Sequence, residues 1–438
     1  MNNHTIAAIA TPAGTGGVAI IRVSGPSALT IADKVFNPTA KTAVKNFKPW
    51  VMYTGKIVCD GFTDFGMCVY FKAPKSFTGE DVIELHCHGG EQISHGVLSA
   101  VLNAGATLAG RGEFTKRAFV NGKLSLSSAE GMIDMINAES LAQIRAGSMM
   151  YTEKLTEGVE RLQSDLTDIL AQIAADTDYP EEGIEETELG SLKQDLIGIL
   201  NRIKALTATY SVGKLIKRGV LVTICGSPNV GKSSLLNSLL GYDKAIVSEI
   251  AGTTRDVVEG CIEIDGVKYN LTDTAGIREG ADRLEDMGID RAKRSLKTAD
   301  LVICVSPDGD FSAADGVEQE RLIKVFSKTD VSKPFGSYDV AISTLTGEGL
   351  TELKSVMANK ANVGKTFEGA YLIEERHYNA FKRAGQTLQS AIDAIGEYPL
   401  DLISMDIREA WQILGEVTGK TADEDVIDVV FSKFCVGK

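Results

Sequence analysis

The chain has 438 residues, of which 44% are hydrophobic and 24% are charged, and its formal net charge is −14. This length exceeds what one hydrophobic core usually organises, so we expect about two to four domains. The acidic balance argues against tight nucleic-acid binding by the chain alone, because such binding normally requires a basic surface.

The compartment is predicted from apolar runs and cysteines. No apolar run approaches the roughly 20 residues that a membrane-spanning helix requires, and the start of the chain lacks the pattern of a secretory signal. The seven cysteines are an odd number without C-x-x-C spacing, which fits a reduced compartment. We therefore expect a cytoplasmic protein.

The first part of the chain has the pattern of an α+β domain. The runs "VAIIRVSG", "VMYTGKIV", "FGMCVYF" and "DVIELHCHGG" predict strands bounded by glycine turns, and "ISHGVLSAVLNAG" predicts a helix. Strand alternation points Cys87 away from His86 and His88, so "HCH" is a poor zinc site. We predict an α+β N-terminal domain over residues 1–120.

Helical sequence follows and returns at the end of the chain. Residues 127–176 keep apolar residues at spacings of three and four without proline, which predicts one long helix or a broken pair. The pattern stops at Pro180, resumes up to "KLIKRG", and dominates the last seventy residues. We predict a discontinuous all-α helical domain over 121–215 and 371–438, into which an α/β domain at 216–370 is inserted.

A phosphate-binding loop opens the inserted domain. "GSPNVGKS" satisfies G-x-x-x-x-G-K-[ST] at Gly226, Gly231, Lys232 and Ser233, between the strand "VLVTIC" and the helix "SSLLNSLLG". In such a loop, backbone N–H groups face phosphate oxygens, the lysine reaches the β and γ phosphates, and the hydroxyl binds Mg²⁺. The pattern predicts a Ras-like P-loop G domain.

Later motifs select guanine. In "AGTTRD", Thr254 supplies a second hydroxyl for Mg²⁺, and in "YNLTDTAG", Asp273 ends a strand near the metal and Gly276 lies near the γ phosphate. "LIKVFSKTD" ends a further strand with Asp330, whose carboxylate matches the two donors on one edge of guanine. The base is therefore predicted to be guanine.

Ser327 departs from the usual N-K-x-D element. A serine retains one hydrogen bond but not the two-ended bridge of an asparagine amide, so we predict weakened GTP affinity. The literal "NKAN" at 359–362 is no substitute, because it follows "ISTLTGEG", which is predicted to form the last base-contacting loop through Ser343 to Leu345.

The group that orients the attacking water is not evident from the G motifs. Ile277 follows the D-T-A-G motif at the position where Ras-type enzymes have a glutamine, and its side chain forms no hydrogen bond. Glu279, Glu285 and Asp286 in "REGADRLEDMG" are candidates, although the sequence alone favours a solvated helix charge over a catalyst for each of them.

The combined motifs resemble one family. "GSPNVGKSSLLN", "IAGTTRD", "DTAGIRE", "ATPAGTGGVAIIRVSG", "SFTGEDVIELHCHGG", "GEFTKRAFVNGKLSLSSAE" and the terminal "FCVGK" are similar to the MnmE (TrmE) family of tRNA modification GTPases. The resemblance extends from the first strand to the last residue. The flanks separate this family from a regulatory ribosome-assembly-type GTPase without one-carbon chemistry, which the G motifs alone leave open.

The resemblance implies a specific reaction and specific partners. It implies a folate-binding, homodimerising N-terminal domain and an MnmG-like FAD protein as partner in a heterotetramer. Together they would add an aminomethyl or carboxymethylaminomethyl group at C5 of the wobble uridine of certain tRNAs. The carbon donor would be 5,10-methylene-tetrahydrofolate or a formyl-tetrahydrofolate analogue.

The resemblance also assigns residues. It places K⁺ at Asn229, Ser248, Ile250 and Thr253, the catalytic acid at Glu285, and folate contacts at Arg22, Glu84, Lys123 and Lys438. Cys435 is a candidate catalytic or carrier thiol, the alternative being an inert cysteine in a disordered tail. The GTP-binding residues expected from the motifs and the resemblance are Asn229, Val230, Gly231, Lys232, Ser233, Ser234, Ser248, Glu249, Ile250, Ala251, Gly252, Thr253, Thr254, Asp273, Thr274, Ala275, Gly276, Ser327, Lys328, Thr329, Asp330, Ser343, Thr344 and Leu345.

Overall fold

The computed structural model describes residues 4–40, 42–178, 186–242, 260–273, 294–363 and 372–438. The chain divides into two compact units. The first comprises Met1–Ile133, Met150–Asp168 and Trp411–Lys438, and the second comprises Asp134–Met149 and Ile169–Ala410. In the described parts of the chain, no helix is both long and apolar enough to span a membrane.

A seven-stranded sheet organises the first unit, in the order β3-β4-β5-β6-β2-β1-β7. Neighbouring strands are antiparallel except β1 and β7, which are parallel. Its strands are β1 (Ile6–Ile9), β2 (Val18–Ser24), β3 (Phe36–Pro38), β4 (Met52–Val58), β5 (Thr63–Phe71), β6 (Val82–His88) and β7 (Thr107–Leu108).

One face of this sheet is covered by two helices, α1 (Ala28–Val35) and α2 (Glu91–Asn103). Alternate strand residues such as Ile21 and Leu85 are fully buried against helix residues such as Ile31 and Val97. The alternation predicted for these strands is confirmed, since Cys87 is buried while His88 on the same strand is exposed. A third helix, α3 (Glu113–Val120), follows β7.

The segment 127–176 differs from the prediction of one long helix or a broken pair. It forms three helices, α4 (Leu126–Ile136), α5 (Leu141–Tyr151) and α6 (Lys154–Asp178). At the second break, Glu153 has a left-handed backbone with φ 62°, and its carboxylate accepts hydrogen bonds from Ser125 N and Ser128 Oγ. Contacts distant in sequence therefore hold this break, which the apolar period does not reveal.

The first break, before α5, has a capping signature. Ser140 Oγ accepts from Gln143 N at 3.4 Å, and Gln143 Oε1 accepts from Glu139 N at 2.6 Å. This S-x-x-Q pattern resembles a capping box, which satisfies N–H groups that a helix start leaves without partners. The sequence Ser140-x-x-Gln143 could therefore have predicted that a helix starts at this point.

The second unit contains a six-stranded sheet, in the order β13-β12-β11-β8-β10-β9. All neighbouring pairs are parallel except β9 and β10, which form an antiparallel hairpin. Its strands are β8 (Val220–Cys225), β9 (Gly260–Ile264), β10 (Val267–Asp273), β11 (Leu301–Ser306), β12 (Leu322–Phe326) and β13 (Val340–Ala341).

Helices complete both units. Within the second unit, α7 (Glu186–Ala208) packs along α11 (Glu375–Ala394), and a Cβ added to Gly385 would lie 3.3 Å from the Ile203 side chain. Segments before and after the α/β sheet are therefore adjacent there. The remaining described helices are α7 (Glu186–Ala208), α8 (Tyr210–Arg218), α9 (Lys232–Tyr242), α10 (Leu350–Ala361), α11 (Glu375–Ala394), α12 (Leu400–Thr418) and α13 (Glu424–Ser432).

Candidate functional site

The phosphate loop connects the end of β8 to the start of α9, as predicted. Gly226 has φ 144°, and a Cβ there would lie 2.4 Å from the carbonyl oxygen of Val305 on the neighbouring strand β11. Gly231 has φ 103°, and Asn229 is left-handed with φ 62°. The loop therefore requires glycine at both positions, for space at Gly226 and for backbone conformation at both.

Lysine and serine at the start of α9 face this loop. Lys232 is 7% exposed, and its Nζ donates to the carbonyl oxygens of Gly226 (3.0 Å) and Ser227 (2.8 Å). Ser233 Oγ donates to Asp273 Oδ2 at 2.9 Å, and Asp273 is 2% exposed. A hydroxyl and a carboxylate at the end of a phosphate loop are the hard oxygen ligands that Mg²⁺ prefers.

Two residues predicted to contact the base bond to the same loop. Ser327 is 3% exposed, and its Oγ donates to the carbonyl oxygen of Val230 at 2.9 Å. Lys328 Nζ donates to the carbonyl oxygen of Asn229 at 2.9 Å. The residue after β12 therefore bonds to the phosphate loop, as an asparagine of N-K-x-D would, but through a single hydroxyl.

Asp330 is oriented by the next loop. Ser343 is fully buried, and its Oγ donates to Asp330 Oδ1 at 2.7 Å. The backbone N–H of Thr329 donates to Ile342 O, which ties the two base-contacting loops together, whereas the Leu345 side chain is 82% exposed. A carboxylate held in this way is an acceptor that suits the two donors of guanine.

Several predicted residues lie outside the described parts of the chain. They belong to the two segments that follow α9 and β10. These residues are Ser248, Glu249, Ile250, Ala251, Gly252, Thr253, Thr254, Thr274, Ala275, Gly276 and Glu285.

A second cluster of functional candidates lies on the N-terminal sheet. Arg22 on β2 and Glu84 on β6 are paired in register, and Arg22 Nε donates to Glu84 Oε1 at 2.9 Å. The Arg22 guanidinium also lies 5.5 Å from the ring centre of Phe77 and 5.8 Å from that of Phe114. Both rings therefore make cation–π contacts with the Arg22 guanidinium, and sequence reasoning missed both of them.

His86 is a further residue missed by sequence reasoning. Its Nε2 lies 3.5 Å from Glu84 Oε2. Burial by itself raises the pKa of Glu84, but the neighbouring imidazole of His86 and the positive charge of Arg22 outweigh it, so the net pKa is lowered. Glu84 is therefore ionised at neutral pH. His86 follows Glu84 by two residues on β6, and alternate residues share one face of a strand. This spacing was the sequence signal that could have placed His86 beside Glu84.

The two other folate candidates differ in setting. Lys123 Nζ donates to the carbonyl oxygen of Pro74 at 3.0 Å and is exposed. Lys438 is the last residue, and its N–H donates to Cys435 O at 3.4 Å.

The C-terminal tail packs on the N-terminal domain. Val436 forms an antiparallel bridge with Arg111, and Cys435 O accepts from Gly112 N at 3.4 Å. Gly437 has φ 98°, and a Cβ there would lie 2.2 Å from the carbonyl oxygen of Ile9 at the end of β1. The tail is therefore held against the sheet, unlike the disordered tail considered above. Cys435 itself is exposed with a free thiol.

The strand, phosphate loop and helix at residues 220–242, together with the segment 327–330 whose Ser327 and Lys328 bond to the loop, define a P-loop GTP-binding domain. A family model described as MnmE helical domain matches residues 126–435, and one described as GTP-binding protein TrmE N-terminus matches residues 5–123. The chain belongs to the MnmE (TrmE) family of tRNA modification GTPases. The predicted family and fold class are thereby confirmed.

Relatives that match the chain over its full length support the same family assignment. The chain is 37% identical to the tRNA modification GTPase MnmE of Bacillus subtilis (strain 168), over 99% of this chain and 100% of that protein. It is 38% identical to the tRNA modification GTPase MnmE of Desulforamulus reducens, over 100% of both chains. The chain is therefore a GTP hydrolase of tRNA modification, which favours this function over the ribosome-assembly alternative.

Two solved structures each match part of the chain. The G domain of the T. maritima FeoB iron transporter is 29% identical, with a TM-score of 0.25, over 32% of this chain and 98% of that chain. A GTP-binding protein from Sulfolobus solfataricus in complex with GDP is 18% identical, with a TM-score of 0.24, over 46% of this chain and 67% of that chain.

Proposed function

We propose that the chain couples GTP hydrolysis to the addition of an aminomethyl or carboxymethylaminomethyl group at C5 of the wobble uridine of certain tRNAs. The observation that carries this proposal is the position of the Cys435 tail. It lies against β1 and residues 111–112, two residues before Phe114, whose ring contacts Arg22. An exposed thiol thus packs on the domain that contains the folate candidates Arg22, Glu84 and Lys123.

A tetrahydrofolate fits the charged residues of that domain. A pterin ring presents a donor pair that the ionised Glu84 carboxylate can accept, with Arg22 holding that carboxylate in place. The glutamate tail of the folate suits the other cations, Lys123 and Lys438. When bound, 5,10-methylene-tetrahydrofolate or a formyl-tetrahydrofolate analogue would supply the transferred carbon. Cys435 is proposed as the catalytic or carrier thiol beside it.

The nucleotide site is proposed to hold two cations with GTP. Ser233 and Thr254 would bind Mg²⁺, with Asp273 supporting it through water. Asn229, with Ser248, Ile250 and Thr253, would bind K⁺, which places positive charge against the phosphates where other GTPases use an arginine. Replacement of K⁺ by Na⁺ should depress GTP hydrolysis, and equal rates in both salts would overturn the K⁺ assignment.

Glu285 is proposed as the catalytic acidic residue, whose carboxylate would orient the attacking water by accepting a hydrogen bond from it. Ile277, at the usual position of that group, offers no polar atom. Glu285→Ala should remove most GTP hydrolysis and leave nucleotide affinity unchanged, and Glu279→Ala in the same segment is the matched control. Retention of hydrolysis in Glu285→Ala would contradict this role.

The proposed assembly is a cytoplasmic homodimer that joins an MnmG-like FAD protein in a heterotetramer. The net charge of −14 supports a division of labour, because a partner can supply much of the positive surface that tRNA requires. The seven free thiols support a reducing compartment.

The reaction can be tested with the complete complex. The chain, the FAD partner, a tRNA transcript and tetrahydrofolate labelled at its one-carbon unit are combined with GTP or with GDP. We expect the label at the wobble uridine with GTP and little label with GDP. Absence of label in both samples would contradict the proposed function.

A further inference from the structure

The hairpin β9–β10 reaches away from the nucleotide site. Its turn is Asp265–Gly266, where both residues have positive φ (50° and 81°), as two-residue hairpin turns with an Asp-Gly sequence require. At the other end of β10, Asp273 accepts the hydrogen bond from Ser233 of the phosphate-binding helix. A single strand therefore joins the nucleotide site to the tip of the hairpin.

The tip of the hairpin caps a helix. Gly266 O accepts a hydrogen bond from Ala142 N at 2.8 Å. Ala142 is the second residue of α5, and the first N–H groups of a helix have no partner within the helix. A Cβ on Gly266 would lie 3.5 Å from Leu141 Cβ, so the turn packs closely on the start of α5. The hairpin thus supplies an acceptor that α5 lacks.

An ion pair strengthens this contact. Lys268 Nζ on β10 donates to Glu139 Oε2 in the connection between α4 and α5, and the two side chains are 19% and 33% exposed. Because both groups are largely withdrawn from water, the pair is screened less than an exposed ion pair. The backbone N–H of Glu139 is fixed in turn by Gln143 Oε1.

The neighbouring strand is anchored to the same place. Lys217 lies just before β8, and its Nζ is 3.0 Å from Asp134 Oδ1, while its carbonyl oxygen accepts from Gln143 Nε2 at 2.9 Å. Asn270 Nδ2 on β10 donates to Arg218 O at 2.9 Å. We call residues 134–143 the coupling corner. Because β8 and β10 are parallel, both strands begin beside the coupling corner and end at the phosphate loop.

The strand is a stiff connection. Lys268 and Asp273 are five residues apart, which is about 17 Å at about 3.3 Å per strand residue. β10 is hydrogen-bonded to β8 on one side and to β9 on the other. A displacement of Asp273 is therefore passed along β10 instead of being absorbed by bending.

We propose that Lys268 and Glu139 are positioning residues that transmit the state of the nucleotide site through β10 to the coupling corner, and so to the start of helix α5. This inference rests on the proposed coupling of GTP hydrolysis to tRNA modification. The ion pair holds the hairpin tip to the coupling corner. A movement of Asp273 at the end of β10 therefore also moves the coupling corner at its start.

The activity test separates two readouts of the complete complex. Lys268→Ala should leave the GTP hydrolysis rate within about twofold of wild type, while GTP-dependent transfer of labelled carbon to tRNA falls at least about fivefold, the lower end of typical coupling effects. The double variant K268E/E139K restores the ion pair with reversed charges and should recover transfer. Lys297→Ala, which changes an exposed lysine of the same domain, is the control and should behave as wild type.

Hydrogen exchange supplies a readout that stability alone does not move. In the wild type, amide exchange over residues 141–151 should differ between GDP and a non-hydrolysable GTP analogue, and in Lys268→Ala that difference should shrink. A parallel fall of hydrolysis and transfer, unchanged transfer, or an unaltered exchange response in Lys268→Ala would each overturn the proposal. If the wild type transfers no carbon but keeps the exchange response, the proposed function fails and the coupling corner stands.

Discussion

Ser327 offers the most direct test of how the nucleotide site differs from that of a GTPase with N-K-x-D. The variant Ser327→Asn introduces an amide, whose donor and acceptor are on two separate atoms, in place of a single hydroxyl. In the wild type, the buried Ser327 Oγ donates its one hydrogen bond to the carbonyl oxygen of Val230 at 2.9 Å, which leaves no donor for the base. An amide at this position can bond the phosphate loop and the guanine base at once.

The expected gain is that of one additional hydrogen bond. A neutral hydrogen bond contributes about 0.5 to 1.5 kcal/mol, which corresponds to about 2- to 13-fold tighter GTP binding. Ser327→Ala removes the bond to Val230 O and loosens the phosphate loop, so GTP affinity should fall about fivefold for about 1 kcal/mol.

The assay is a fluorescence titration of the full chain with a labelled guanine nucleotide, in Mg²⁺ and at fixed salt. Ser355→Ala, an exposed serine on α10, controls for the loss of a hydroxyl elsewhere in the domain. The reasoning is refuted if Ser327→Asn binds GTP no more tightly than wild type, or if Ser327→Ala and wild type bind equally well.

Three further predictions concern single carboxylates and one cation. Asp330→Asn should weaken GTP binding by about 10- to 150-fold, because a charged hydrogen bond of about 1.5 to 3 kcal/mol is lost, and should improve binding of xanthosine triphosphate, as measured by calorimetry. Arg22→Ala should weaken tetrahydrofolate binding, and an equal affinity in equilibrium dialysis would contradict the folate assignment. Burial, reinforced by Glu374 and opposed by Lys217, raises the pKa of Asp134 to about 7. Since its unfolded pKa is about 3.9, the folded chain holds an extra proton between about pH 4 and 7, and the stability that this proton provides is lost as pH rises through that window. The melting temperature of Asp134→Asn minus that of wild type should therefore increase between pH 5 and pH 8. A difference that stays constant over this range would contradict the prediction.

Local patterns correctly predicted several strands, among them β2, β4, β5, β6 and β8, and the phosphate loop. The alternation in "DVIELHCHGG" identifies β6 and the inward side of Cys87, because a strand has period two and one face of this sheet is buried. "GSPNVGKS" identifies the loop, because its conformation requires glycine at Gly226 and Gly231. In both cases the relevant physics acts over neighbouring residues.

Contacts between distant residues were not predictable in this way. The break at Glu153 depends on Ser125 and Ser128, and the apolar period of the helices continues through it. Likewise, Glu139 and Lys268 look like ordinary surface charges in the sequence, and only the hairpin turn brings them together. The aromatic rings around Arg22 were missed for the same reason.

The central claim is that GTP hydrolysis by this chain drives modification of the wobble uridine. Its most direct test is mass-spectrometric nucleoside analysis of tRNA from a deletion strain that carries the wild-type chain or Lys232→Ala. We expect the C5-modified uridines to disappear in the deletion strain, to return with the wild type, and to stay absent with Lys232→Ala. An unchanged uridine profile in the deletion strain, or full restoration by Lys232→Ala, would contradict the claim.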